Sequence, residues 1–284
     1  MQQEMTMQPD HPAGAAPSAL SSRRPLTTSL IRRALLASAL AFGVASCAIA
    51  PLGPPSRNLG HVLLLGDSIT QAAVGNKGYR YPLWKHFVDG GYQFDFIGSL
   101  AHNFDATNTG STTSVSPYPD YAGRHFDTHH EGHWGWKTTD ILGQTAPTRT
   151  PGTGTGKLSD WLASYTPDTV VILLGVNDIR VANELSVSAT RANMETILGA
   201  LIADNPKVRI YLASILSTKA DFAQPQKIRE LNEAYKELAG QYAAVRYVNI
   251  YPRFDPAIHA YDGVHPNSQG ERVLADAIYE AIEQ

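Results

Sequence analysis

The chain has 284 residues, enough for one large domain, with 43% hydrophobic and 17% charged residues, which excludes an intrinsically disordered composition. Its formal net charge of −3 excludes the basic surface that a nucleic-acid partner would require. Four arginines and only two acids precede residue 47, so the remainder is more acidic still, with 19 basic against 24 acidic residues.

The N-terminus reads as an export signal covering residues 1–46. Arg32 and Arg33 precede a thirteen-residue apolar run, residues 34–46. Such a run is too short to span a bilayer, which takes about 20 residues, but suits a signal-peptide core. Val44-Ala45-Ser46-Cys47 resembles a bacterial lipobox, which makes Cys47, the single cysteine of the chain, a lipidation candidate. Residues 47–58, with Pro51, Gly53, Pro54 and Pro55, have the composition of a linker. Residues 59–284 form the expected domain, exported to the periplasm, to the cell surface as a lipoprotein, or into the medium.

Within that domain, apolar runs alternate with helical patterns. Val62 to Leu65 reads as a buried strand ending at Gly66, and residues 94–97 as a second. Residues 169–174, 208–213 and 245–250 complete a set of five. Met194, Ile197, Leu198, Leu201 and Ile202 form the stripe of a helix that Pro206 stops. Val273, Leu274, Ala277, Ile278, Ala281 and Ile282 form another, capped by Asn267 or Ser268. Strands alternating with helices predict a three-layer α/β/α domain around a parallel five-stranded sheet. Residues 101–124, rich in Ser, Thr, Asn, Gly and Pro, read as a long surface loop.

In an open parallel sheet, ligands gather beyond the carboxyl ends of the strands. Gly66-Asp67-Ser68-Ile69-Thr70 follows the first strand, Gly175-Val176-Asn177-Asp178 follows the third clear one, and Asp262-Gly263-Val264-His265-Pro266 precedes the last helix. These supply the parts of acyl transfer. A serine hydroxyl needs an adjacent base, an imidazole suits that task near neutral pH, and a carboxylate fixes its tautomer. Donors must also meet the developing oxyanion, and Ser68, opening a helix, has a free backbone N–H to which Asn177 can add a side-chain N–H.

The chain here resembles the SGNH, or GDSL, hydrolase superfamily. Gly66-Asp67-Ser68 matches its first block, Gly175-x-Asn177-Asp178 its third and Asp262-x-x-His265 its last. The second block is similar to residues 130–136, with Gly135 as the matching glycine and Gly132 as its alternative. The resemblance implies a flavodoxin-like fold, Ser68 as nucleophile, His265 as base, Asp262 as orienter, and an oxyanion hole of Ser68, Gly135 and Asn177, with no cofactor. Within the superfamily the chain looks closest to carbohydrate esterase family three, through Gly78-Tyr79-Arg80, Phe96-Ile97-Gly98-Ser99 and His130-Glu131-Gly132-His133-x-Gly135-Trp136. Trp134 and Val176 depart from that group's pattern. The resemblance implies an acetylated polysaccharide or oligosaccharide as ester partner. A broader short-chain acyl or lipid esterase, and a silent carbohydrate-binding protein on the same scaffold, are the competing readings.

Asp67 and Asp178 read as hydrogen-bond acceptors beside the site, and with Trp134 and Trp136 they complete the substrate-binding candidates. Either tryptophan could stack on a sugar or pack under the loop. His125, Asp127, His129, His130, Glu131 and His133 match no zinc spacing, so they read as loop hydrogen bonding and no metal is expected. Residues 152–157 imitate a phosphate loop, but Pro151 and Leu158 occupy its first glycine and hydroxyl positions, so they read as a flexible connection.

Overall fold

The computed structural model describes residues 57–145, 151–182 and 185–284. The signal-peptide and linker assignments, and Cys47 with them, lie outside the described residues, apart from residues 57 and 58 of the linker.

The central sheet contains β1 (Asn58–Gly66), β2 (Gln93–Ile97), β3 (Glu131–Gly132), β4 (Thr169–Leu173), β5 (Arg209–Ala213) and β6 (Val245–Val248). Its order is β2-β1-β4-β5-β6, every pairing parallel. All five expected strands are present. The sixth, β3, has two residues and pairs with Leu65 and Gly66, beyond Leu63 where β2 stops. β4 is the central strand with β1 beside it, and the continuous apolar runs of both are buried on both faces, as parallel strands under two helical layers must be.

The helices are α1 (Ser68–Gln71), α2 (Arg80–Asp89), α3 (Thr138–Ile141), α4 (Leu158–Leu162), α5 (Val187–Asp204), α6 (Pro225–Ala239), α7 (Pro256–His259) and α8 (Ser268–Glu283). α2 packs on α8 and α5 on α6. The stripe of α5 is buried through Met194, Ile197, Leu198 and Leu201, and Ser186 caps it by accepting from Ala189 N–H. For α8 the cap is Asn267, which accepts from Gln269 and Gly270. Besides short helical segments, two long helices add to the expected set. α6 carries a clear stripe, Ile228, Leu231, Tyr235 and Leu238, begun by Pro225. α2 has no simple stripe, because it buries Arg80 with Tyr81, Leu83, Trp84 and Phe87.

From β1 the chain moves to one side to form β2, then crosses to the other side for β4. The strand order therefore reverses beside β1, and a crevice opens beyond the carboxyl ends of β1 and β4. Glycine is required at this point. A Cβ on Gly66 would lie 2.3 Å from Thr70 Oγ1 and 2.5 Å from the Leu173 carbonyl. Beyond α1, Ala72 adopts φ 58°, ψ 153°, a conformation ordinarily reserved for glycine. Its N–H donates to Ser68 O and its carbonyl accepts from Phe104 N–H, so the strain is held by bonds on both sides.

Replacing Ala72 by Gly should release that strain and raise stability by about 1 kcal/mol, net of the added chain entropy. A higher urea midpoint for Ala72→Gly is expected, and a lower one would contradict the strain.

Candidate active site

Three segments meet in the crevice. Asp67 opens α1 with its carboxylate accepting from Ile69 N–H at 3.0 Å, which turns the chain so that Ser68 stands at the first helical position. Among the described residues no hydrogen bond uses the Ser68 N–H. The loop before α8 brings in His265, whose Nε2 lies 2.9 Å from Ser68 Oγ. His265 Nδ1 lies 2.7 Å from Asp262 Oδ2, while Asp262 Oδ1 accepts from the N–H groups of Val264 and His265 at 3.0 and 2.8 Å. Burial pushes the Asp262 carboxyl up, but the bonds from His265 and Val264 together with the imidazole charge outweigh it and hold the group below its ordinary value. A carboxylate that stays ionised is what keeps the His265 proton on Nδ1 and leaves Nε2 to face the hydroxyl.

Residues 133–136 form a turn in which Trp136 N–H donates to His133 O at 3.1 Å and Gly135 has φ 78°. His133 N–H bonds Gly66 O at 3.0 Å, and Asn177 Nδ2 donates to Trp136 O at 3.0 Å. The turn is thus tied both to the end of β1 and to the loop after β4. Of the two candidate glycines, Gly132 spends its N–H on His130 Nδ1 at 2.9 Å and lies inside β3. The N–H of exposed Gly135 has no partner among the described residues. An Asn177 side-chain N–H, the Gly135 N–H and the Ser68 N–H are the donors around the serine. A small cleft opens beside it, lined by Ala72, Asn76, Tyr79, Tyr261 and Glu271.

A serine, an imidazole and a carboxylate in this hydrogen-bonded order can carry out acyl transfer, and the known proteins that this chain resembles agree. The model of the GDSL-like lipase/acylhydrolase family matches residues 64–273. The chain belongs to that family. A multidomain esterase of Ruminococcus flavefaciens is 24% identical over 258 residues, which are 87% of this chain but 32% of that protein, so the chain spans about a third of that relative. Among solved structures, a carbohydrate esterase family 3 protein from Talaromyces cellulolyticus is 26% identical, with a TM-score of 0.60 over 78% of this chain and 94% of that one. A serine-to-alanine mutant of an acetyl esterase, solved with acetate, is 25% identical at the same TM-score of 0.60 and the same coverage.

Within this GDSL-like domain, three of the four expected substrate-binding residues are buried supports instead. Asp67 is 1% exposed and serves as the α1 cap. Asp178 is fully buried and accepts from both the N–H and the hydroxyl of Thr138, which pins the segment following the turn. Trp136 packs on His133 with ring centroids 4.0 Å apart, away from solvent. Trp134 alone keeps a half-buried position at the site.

One further expectation changes. The residues around the imitated phosphate loop are not a loose connection. Gly152 O accepts from Gln71 Nε2 at 2.8 Å, its N–H donates to Thr109 O at 2.8 Å, and Gly154 packs on His133. The histidine-rich stretch, by contrast, forms hydrogen bonds as expected. His125 meets Asp120 and His129 meets Asp127 at the surface, while buried His133 lies between Glu131 Oε2 and Thr153 O.

Gln71, Phe104 and Tyr261 join the site without being singled out in the sequence, and Arg80, noted there only as part of the Gly78-Tyr79-Arg80 match, joins it as a buried support. Gln71 Oε1 accepts Trp134 N–H at 2.8 Å, and buried Arg80 donates to Thr70 O and Gln71 O at 2.8 and 3.2 Å, holding the end of α1. Gln71 lies three residues after Ser68, so helical spacing was a usable signal. For Phe104 and Tyr261 the signal is absent, since their positions depend on how loops close.

Burial raises Asp67 to about 7, opposed by the Ile69 bond and assisted by the Asp178 charge. Burial likewise raises Asp178 to about 6 against the bonds from Thr138. Both values exceed the unfolded-state value of about 3.9, so the folded state binds more protons, and this contribution is complete below about pH 4. It is lost as pH rises through about 6 and 7. Asp67→Asn keeps an acceptor for Ile69 and removes the larger share. Its urea midpoint should fall less between pH 5 and pH 8 than that of the native protein, and an equal or steeper fall would refute the assignment.

Proposed function

We propose that the domain is a serine esterase that removes short acyl groups, acetyl above all, from carbohydrate through an acyl-enzyme on Ser68. The observation that carries this reading is the continuous hydrogen-bond chain Ser68–His265–Asp262. His265 Nε2 takes the hydroxyl proton as Ser68 Oγ attacks the ester carbonyl. The oxyanion forms among the N–H groups of Ser68, Gly135 and Asn177, where its charge is stabilised more than the ground-state carbonyl is. The imidazolium then gives its proton to the departing sugar oxygen. In the second half His265 takes a proton from water, which attacks the acyl carbon; the bond from that carbon to Ser68 Oγ then breaks, the imidazolium returns its proton to Oγ, and the acid leaves.

Support for a short acyl group comes from the small cleft beside Ser68. Support for carbohydrate comes from the relatives, a family 3 carbohydrate esterase and an acetyl esterase holding acetate. Half-exposed Tyr261 at the rim offers an aromatic surface of the kind sugars stack upon. For the N-terminus, we propose export with lipidation at Cys47, on the strength of the Val44-Ala45-Ser46-Cys47 match, the apolar run before it and the proline-containing segment after it. Mass spectrometry of the mature N-terminus reads this directly: a diacylglyceryl cysteine supports the anchor, and cleavage elsewhere removes it.

Ser68→Ala should lower hydrolysis of p-nitrophenyl acetate by about 1000-fold or more while leaving the fold intact. Asn177→Ala should lower kcat by about 100- to 1000-fold. Acetate esters should be cleaved faster than butyrate and octanoate esters, with acetate released from acetylated xylan. An alanine variant as active as the native protein would eliminate Ser68 as nucleophile. Preference for octanoate would replace the carbohydrate reading with a lipid one, and an inert native protein would favour a silent binding module.

A further inference from the structure

His265 is enclosed by aromatic faces. The Trp134 indole lies on one side, with ring centroids 4.5 Å apart and planes inclined by 18°. Tyr261 lies 5.8 Å away, also inclined by 18°. Behind Trp134, Phe104 stacks at 4.4 Å and 19°. The imidazole side chain is only 15% exposed, so water reaches little of it. This assembly is braced from the helix that carries Ser68. Trp134 N–H bonds Gln71 Oε1 at 2.8 Å, and Phe104 N–H bonds Ala72 O at 2.9 Å. The long 101–124 loop, otherwise without an assigned role, thus delivers the ring that supports Trp134.

We propose that Trp134, backed by Phe104, is a positioning residue that stabilises the protonated form of His265 through its indole face, an inference that rests on reading His265 as the base. A neutral imidazole gains dispersion from such a stack. An imidazolium gains in addition the attraction of a cation for the negative ring face, strongest for tryptophan and larger when water is excluded. His265 carries that charge only after taking the Ser68 proton, so the interaction favours the tetrahedral intermediate over the Michaelis complex and acts on kcat. Asp262 supports the same charge along the ring edge, and Trp134 supports it on the face. The other titratable or charged groups around the imidazole are Tyr261 on its own loop, Glu271 of α8 and Tyr79 before α2, which line the same cleft, Lys219 packed beside Gly263, and Asp67 beneath Ser68. None of them lies between the indole and the imidazole.

The test follows the His265 ring directly. In the full-length protein, the Cε1–H resonance of His265, assigned by its loss in His265→Gln, is titrated by NMR in native, Trp134→Phe, Trp134→Leu and Trp134→Met forms. In parallel, kcat and KM are measured on p-nitrophenyl acetate. Leu and Met should lower the His265 midpoint by about 0.5 to 1.5 pH units and kcat by about 3- to 30-fold, with KM nearly unchanged, while Phe restores most of both. The downfield Nδ1–H resonance shared with Asp262 should persist throughout. Phe104→Leu should shift the midpoint the same way by less. An unchanged or raised midpoint in both non-aromatic variants, an equal fall in Phe and Leu, or loss of the Nδ1–H resonance would overturn the proposal, the last because the indole would then only be packing the ring in place. The midpoint does not depend on turnover. A native protein inert toward esters would sink the esterase reading while leaving the ring interaction measurable, and an active protein with no midpoint shift would do the reverse.

Discussion

The hydrogen bond between Ser68 Oγ and His265 Nε2 joins residues 197 positions apart, and almost every feature of the domain bears on whether it can form. Ser68 is placed by the end of β1, which is possible only because β1 lies inside the sheet with Gly66 letting it approach β4. His265 is placed by the loop before α8, and α8 is seated against α2, the first long helix after the serine. The reversal of strand order supplies the third side, since it brings the loop after β4, with Asn177, to the same crevice. Moving any of these elements by an ångström would break a contact that depends on hydrogen-bond geometry.

Around this contact the protein buries polar groups at a cost. Asp67, Asp178, Arg80, Glu131 and His133 are all almost completely buried, and each is hydrogen-bonded. Asp67 and Arg80 bond to backbone groups of α1, Asp178 bonds to Thr138 at the start of α3, and Glu131 and His133, in and beside β3, bond to Ser99 N–H, Thr153 O and each other. Those segments are too short to hold themselves, since α1 has four residues and β3 has two. Side chains therefore replace the backbone ladders that rigidify longer elements. The raised carboxyl values of Asp67 and Asp178 record the desolvation that this arrangement requires, which places a local loss of stability beneath the functional residues.

Much of this was legible from the amino-acid order. Val62 to Leu65 and Thr169 to Leu174 read as buried strands because continuous apolar runs of that length fit little else. Asn177, Asp262 and His265 stood out because each falls at a strand end or before a helix. β3 was unreadable, since two residues carry no period. α2 was hidden by its aromatic and cationic content, which packs around a buried Arg80 in place of an apolar stripe. Asp67 and Asp178 were readable as hydrogen-bond acceptors beside the site, but excluding them from substrate contact required knowing that both are buried. Trp134 was visible as a departure from its relatives, but its stacking on His265 depends on Phe104 and Tyr261, which arrive from loops with no local signature.

The central claim, that Ser68 is the nucleophile activated by His265, is tested most directly by covalent labelling. The native protein is treated with a serine-directed fluorophosphonate and the adduct is located by peptide mass spectrometry, alongside His265→Gln. The proposed mechanism predicts one adduct per chain, on Ser68, formed at least about 100-fold more slowly in His265→Gln. An adduct on another residue, or labelling of Ser68 at the native rate without His265, would contradict it.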